Sequence, residues 1–237
     1  KKIFRLKKRP KFNPLIVHYY DYKKMKNDCE LNDNFHKLYK RFCPGPITFI
    51  LSLKKSSKIS KIATNKKMSL AVRFPRHIVT RNLLKKLKFP LAAPSANLSS
   101  QISPVCSKDV RDDFGKRIKF VLEGGRSSIG LESTIIDIRN KPKILRLGGL
   151  DVATIEKALN KKIFIKNNPH KISTPGQLKL HYSPGLPIRL GAKNAANSEA
   201  FLLIKKKNEA QANYFYLSKK GKDLKDTINY ILTRSRW

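Results

Sequence analysis

Short β-branched and aromatic runs alternate with stretches of helical spacing along most of this chain, and that alternation restricts the fold more than any other feature. Strand character is read at 15–20, 46–53, 69–74, 118–122, 133–139 and 143–147, where Val, Ile, Leu, Phe and Tyr cluster between turn residues. Helical spacing is read at 34–42, at 80–87 with Thr80 as cap, and at 107–114. A further helix is read to residue 159, capped by Asp151, with Val152, Ile155 and Leu159 on one face. The mixture predicts an α/β domain with a broad sheet over residues 1–165. From residue 166 the chain turns polar and rich in Pro, Gly and Asn, and Ser183-Pro-Gly-Leu-Pro187 punctuates it again, so 166–187 reads as a linker. Two strands at 200–204 and 214–217 and a helix from Asp223 give a small α/β unit over 188–237. Such a unit buries too little apolar surface to be stable alone.

Chemistry is expected at the strand ends. Pro90-Leu-Ala-Ala-Pro-Ser-Ala-Asn-Leu-Ser-Ser100 starts as an apolar strand and stops in small residues and hydroxyls. Small side chains let a phosphate or nucleotide approach the backbone, and Ser95, Asn97, Ser99 and Ser100 offer donors without bulk. An ordinary strand with a Ser-rich turn is the plainer alternative. Upstream, Arg5-Leu-Lys-Lys-Arg9 reads as the basic end of a helix. Arg5 and Arg9, four apart on one face, would clamp a polyphosphate, and Lys7 or Lys8 would add a point charge. A solvated basic face fits the same residues. His18 sits in the first strand, where a satisfied core histidine is the ordinary case, and Thr48 stands at the mouth of the Pro44-Gly45-Pro46 turn. Arg73 and Arg146 lie inside apolar strands, so each needs an acidic partner or an anionic ligand. Gly124-Gly-Arg-Ser-Ser-Ile-Gly-Leu-Glu-Ser-Thr-Ile-Ile-Asp137 lacks the Lys-Ser/Thr of a P-loop and precedes a strand rather than a helix. There is no nucleophile elbow, no cluster of metal-ligand spacing and no close carboxylate pair. Electrostatic positioning of an anion is therefore better supported than covalent catalysis or a protein-bound metal.

Charge bears on the partners. Lys and Arg number 52 against 16 acids, a formal +36. Such a field favours anionic substrates, and polyanions such as RNA, within roughly a Debye length of ~8–10 Å. The excess is mostly Lys, is spread along the whole chain, and accompanies abundant Asn and Ile. Compositional drift is the favoured source and a selected nucleic-acid surface the alternative. The three cysteines are widely separated, without metal or disulfide spacing, which points to a reducing cytoplasm. No apolar run approaches the ~20 residues that span a bilayer, so no membrane partner is expected.

The motifs occur in a telling order. Lys7-Lys-Arg-Pro10 and Asn13-Pro-Leu-Ile-Val-His18 precede Pro44-Gly-Pro-Ile-Thr48 and Ala71-Val-Arg-Phe-Pro75. Pro90 to Ser99 with Ser103-Pro104, Gly130-Leu-Glu-Ser-Thr-Ile-Ile136, Ile144-Leu-Arg146 and Ser173-Thr-Pro-Gly-Gln-Leu-Lys-Leu-His-Tyr-Ser-Pro184 follow. Together they resemble the threonylcarbamoyl-adenylate synthase family, with its YrdC-type domain in the long form. The resemblance covers residues 1–184. It implies an α/β fold: a twisted, open, mixed sheet flanked by helices, then a linker and a truncated small α/β domain.

It further implies an enzyme, a nucleotidyltransferase that forms threonylcarbamoyl-AMP and pyrophosphate from L-threonine, bicarbonate (or CO2) and ATP. The product serves threonylcarbamoyl-adenosine modification of tRNA. By motif, Arg5, Lys7 and Arg9 face the ATP phosphates, with Mg2+ held mainly by the nucleotide. Thr48, Ser95, Asn97, Ser103 and Arg146 line the nucleotide site, and Thr174 joins them from a linker that closes as a lid. His18, Arg73, Ala93 (through its backbone) and Ser133 hold threonine or its carbamate. tRNA or a tRNA-modification complex is the implied partner. The family's Pro-Thr-Glu-Thr-type strand and Tyr-Gly-Leu turn are missing upstream, Ser100 replaces a usual glycine, and the small domain stops early at Trp237. A fragment, weak or inactive beside an active parent, is therefore expected. A non-catalytic basic RNA-binding module of the same fold is the alternative.

Overall fold

The computed structural model describes residues 1–99, 101–165, 187–204, 211–218, 224 and 227. A short basic helix, α1 (Lys2–Leu6), leads through a turn to β1 (Ile16–His18). Then come α2 (Tyr22–Met25), α3 (Asp33–Phe42), β2 (Ile47–Ser52), α4 (Lys61–Thr64), β3 (Ser69–Arg73), α5 (Ile78–Lys86) and β4 (Leu91–Ala93). The domain continues with α6 (Ser107–Phe114), β5 (Thr134–Asp137), β6 (Lys143–Arg146), α7 (Val152–Leu159) and β7 (Phe164–Ile165). These seven strands form one mixed sheet in the order β4-β1-β3-β2-β5-β6-β7. β1–β3, β2–β5 and β6–β7 are parallel, and β1–β4, β2–β3 and β5–β6 antiparallel. β8 (Phe201–Leu203) and β9 (Tyr214–Tyr216) pair in parallel as a separate small sheet. The helix expected from Asp223 lies outside the described residues, apart from helical positions 224 and 227.

The strands are apolar on both faces, and the two-residue period sorts their side chains. Val17, Phe49, Val72, Ile136 and Ile144 point to one face and pack against Phe35 and Leu38 of α3 and Ile155 and Leu159 of α7. Full burial of each such side chain contributes about 1.5–3 kcal/mol. Phe35 meets Phe49 edge-on, with ring centroids 5.2 Å apart. Side-chain caps fix the starts of both helices: Asn32 accepts from Phe35 N, and Asp151 from Thr154 N. The opposite face carries a smaller cluster, Ile16, Ile50, Ala71, Ile135 and Leu145.

Two local expectations are corrected. Thr80 does not cap its helix, because α5 begins at Ile78 with His77 at the N-cap, three residues before Thr80, and no side-chain cap bond. Residues 118–122 are not a strand: Phe120 and Leu122 are exposed, and the sheet's edges are already formed by β4 and β7. Alternation alone makes no strand where no neighbour offers a ladder. Among the described residues, no helix is long and apolar enough to cross a membrane.

Candidate active site

The second face of the sheet ends in a polar row. Two positions beyond Ile16, Ala71, Ile50 and Ile135, on the same face, stand His18, Arg73, Thr48 and Ser133. Strand pairing aligns three of them directly, His18 opposite Arg73 and Arg73 opposite Thr48. Thr48 Oγ1 and Ser133 Oγ are 2.7 Å apart and both residues are buried. Arg146 reaches this row through a bulge. Ile136 pairs with Ile144, but Ile135 pairs with Arg146 rather than Leu145. Regular pairing would turn Arg146 to the helix-covered face; the extra residue turns it to the site. Its guanidinium donates to the Ser133 carbonyl at 2.7 Å and to Ser133 Oγ at 3.1 Å.

The other wall is built from the segment after α1 and the loop after β4. The chain turns at Lys8, which adopts the left-handed conformation (φ 52), and its neighbours Lys7 and Arg9 are both buried. Lys7 Nζ donates to the Ser95 carbonyl at 2.6 Å and to the Asn97 carbonyl, and its own carbonyl accepts from Ser99 N. The ammonium thus ties the first turn of the chain to the Ser95–Asn97 loop. Arg9 donates to the Pro14 carbonyl at 2.8 Å.

One carboxylate joins the two walls. Glu132 Oε1 accepts from Ser103 Oγ at 2.5 Å, and Oε2 lies 3.7 Å from Arg146 Nη2. Its charge also supports the protonated forms of Lys7, His18 and Arg73. Burial, reinforced by Arg9, nonetheless lowers Lys7 from 10.5 to about 8. Burial and the Arg73 charge lower His18 to about 4, so its imidazole is neutral at pH 7. Its Nδ1 lies 3.3 Å from the Leu91 carbonyl, which can only accept, so Nδ1 carries the proton in this contact. Burial pushes the Cys43 thiol up to about 12, so it is no nucleophile. Several buried atoms here have no hydrogen-bond partner: Arg73 Nε, Asn97 Oδ1 and both amide atoms of Asn13. Such groups are costly unless a ligand or water meets them.

The structure therefore brings together Lys7, Arg9, His18, Thr48, Arg73, Ser95, Asn97, Ser103, Ser133 and Arg146. Ala93 lies in β4 beside Ile16, under the start of the Ser95 loop. Arg5 is not gathered in. Its side chain is exposed, and α1 ends at Leu6, so Arg5 and Arg9 share no helix face. Thr174 and the expected lid lie outside the described residues. Two residues escaped the sequence reading. Glu132 was signalled only as an acid next to Ser133 in a chain where acids are scarce, and for Asn13 the sequence offered no signal beyond its place in a motif. Among the described residues no group of three or more His, Cys, Asp or Glu side chains is arranged to hold a metal ion.

Comparison with known proteins identifies the family. Residues 1–148 match the family of Sua5, YciO and YrdC, described as "Telomere recombination", and residues 150–235 match the C-terminal domain of threonylcarbamoyl-AMP synthase. A threonylcarbamoyl-AMP synthase of Pyrococcus abyssi is 35% identical over 197 residues, covering 79% of this chain and 56% of that protein. One from Schizosaccharomyces pombe is 30% identical over 267 residues, covering 99% and 63%. The chain thus spans less than two thirds of the length of these curated relatives. A crystal structure of P. abyssi Sua5 in complex with L-threonine superposes with a TM-score of 0.84 at 29% identity, covering 97% of this chain and 74% of that one.

Proposed function

This chain belongs to the Sua5, YciO and YrdC family, and we propose on that footing that its cavity forms threonylcarbamoyl-AMP and pyrophosphate from L-threonine, bicarbonate (or CO2) and ATP. The observation that carries the reading is that Arg73 and Arg146 stand with small donors on one face of the sheet, while Lys7, with Arg9 beside it, closes on the Ser95–Asn97 loop. The reaction needs no protein nucleophile. The threonine amine adds to CO2 and loses a proton, giving a carbamate. A carbamate oxygen attacks the α-phosphorus, the bond from that phosphorus to the bridging oxygen breaks, and pyrophosphate leaves. Both reactants are anionic, so their mutual repulsion must be offset and their approach fixed.

In this reading Lys7 and Arg9 meet the phosphates, and Ser95, Asn97, Ser103, Thr48 and Arg146 frame the nucleotide. His18, Arg73, Ser133 and the Ala93 backbone hold threonine and its carbamate. The unpartnered Arg73 Nε, beside the neutral His18 imidazole in the next strand, suits a ligand carrying a carboxylate. Glu132 and Asp113 are the acids whose charge reaches Lys7, and among the described residues they form no three-ligand cluster; such a donor set suits Mg2+ arriving on the nucleotide. The adenylate is a reactive acyl donor, which suits transfer to a tRNA nucleoside in the cytoplasm.

Pyrophosphate release tests the proposal when each substrate is omitted in turn. Release that requires all three substrates, and falls by ~100-fold or more in Arg73→Ala and Arg146→Ala, is expected. ATP cleavage that ignores threonine, or salt-sensitive tRNA binding with no turnover, would favour the RNA-binding module instead.

A further inference from the structure

Glu132 is out of character in a cavity built for anions. Its carboxylate lies 3.7 Å from Arg146 Nη2 with only 20% of its side chain exposed, and its charge is felt by Lys7 and Arg73. The backbone holds it there: its carbonyl accepts from Gly149 N at 2.7 Å, and a Cβ at Gly148 would fall on that carbonyl. One carboxylate therefore engages both Ser103 and Arg146, two groups assigned above to the nucleotide. A phosphate approaching them meets a fixed negative charge as well as the cations.

We propose that Glu132 is a positioning residue that stands in for a ligand anion: it holds Ser103 and Arg146 ready before ATP arrives, and it weakens the cavity's hold on polyanions so that pyrophosphate leaves. This rests on the ATP-dependent reading above. Two unit charges ~8 Å apart at an effective dielectric constant of about 20 repel strongly enough to change an affinity roughly tenfold or more. A carboxylate kept only to brace the fold would have the opposite signature, since its loss would loosen the site and weaken binding.

Calorimetric titration with pyrophosphate in EDTA, which removes any metal contribution, separates the two. Glu132→Gln is expected to bind pyrophosphate about tenfold more tightly than the wild type, with the KM for ATP lowered and kcat reduced by slower product release. Ser103→Ala keeps the charge and is expected to show no tightening. Glu132→Ala provides a second neutral variant should the glutamine one fold poorly, as judged by circular dichroism. Pyrophosphate affinity that is unchanged or weaker in a folded neutral variant would overturn the role of Glu132. A wild type that binds neither pyrophosphate nor ATP would instead overturn the nucleotide reading, and this role with it.

Discussion

ATP binding should draw a proton onto Lys7, and the amount follows from that residue's surroundings. The ammonium is buried against the Ser95 and Asn97 carbonyls. Burial and then Arg9 lower it from 10.5 to about 8, with Glu132 and Asp113 opposing. At pH 8 about half of the molecules carry Lys7 uncharged. A triphosphate brings several negative charges beside it, and one such charge at ~4 Å raises the value by about one unit or more. Binding at pH 8 should therefore take up about half a proton per nucleotide. Calorimetry in two buffers of different ionisation enthalpy measures that number. Lys7→Met and Lys7→Arg should both abolish the uptake, the first by removing the charge and the second by fixing it. The stability of the ligand-free protein carries the same signature. Because the folded value lies below the unfolded one, the charged lysine costs stability fully below pH 8, and the cost is relieved as pH rises toward 10.5. The shift corresponds to roughly 3 kcal/mol unscreened and about 2 kcal/mol once solvent screening is allowed for. The same heat in both buffers, or uptake that persists in Lys7→Met, would refute the reasoning.

Other substitutions separate the site from its scaffold. Arg73→Ala should leave the melting temperature unchanged or higher, since it removes a buried unpartnered Nε, while abolishing threonine-dependent turnover; Arg73→Lys should not restore it, because a point charge lacks the planar fork. Asp137 is buried, which raises its carboxyl, but Arg139 and Lys143 outweigh this and hold it below 3.8. Its contribution is therefore present above that pH and lost as pH falls through the folded value. Asp137→Asn should cost about 2 kcal/mol, or roughly 4–8 °C in melting temperature, with pyrophosphate affinity intact by calorimetry. Gly148→Ala would drive a methyl group into the Glu132 carbonyl and the Ser133–Thr134 backbone. It should weaken ATP binding measured by calorimetry while circular dichroism still reports a folded sheet.

The sequence disclosed the parts of the site that obey strand periodicity. His18, Arg73 and Thr48 were visible as polar residues terminating apolar runs, and parallel or antiparallel pairing then set them side by side. Arg146 was visible as a buried-strand arginine, but the bulge that turns it to the correct face has no sequence mark, since it depends on the register with β5. Arg5 was misread because helix spacing was extended past Leu6, where the left-handed Lys8 breaks it. The same turn is what buries Lys7 and Arg9 together. Glu132 remained hidden because its partners, Ser103 and Arg146, lie 29 and 14 residues away in sequence and meet it only through tertiary packing. Residues 118–122 show the converse failure, an alternating pattern with no sheet edge to join.

The most direct measurement is the fate of carbon from labelled bicarbonate, followed by mass spectrometry of the products. The account expects that carbon in a species joining AMP to threonine, formed only when ATP, threonine and bicarbonate are all present and lost in Arg73→Ala and Lys7→Met. An adenylate of threonine without the extra carbon, or label incorporation that is indifferent to those two substitutions, would contradict a single cavity in which strand-end cations hold both anions.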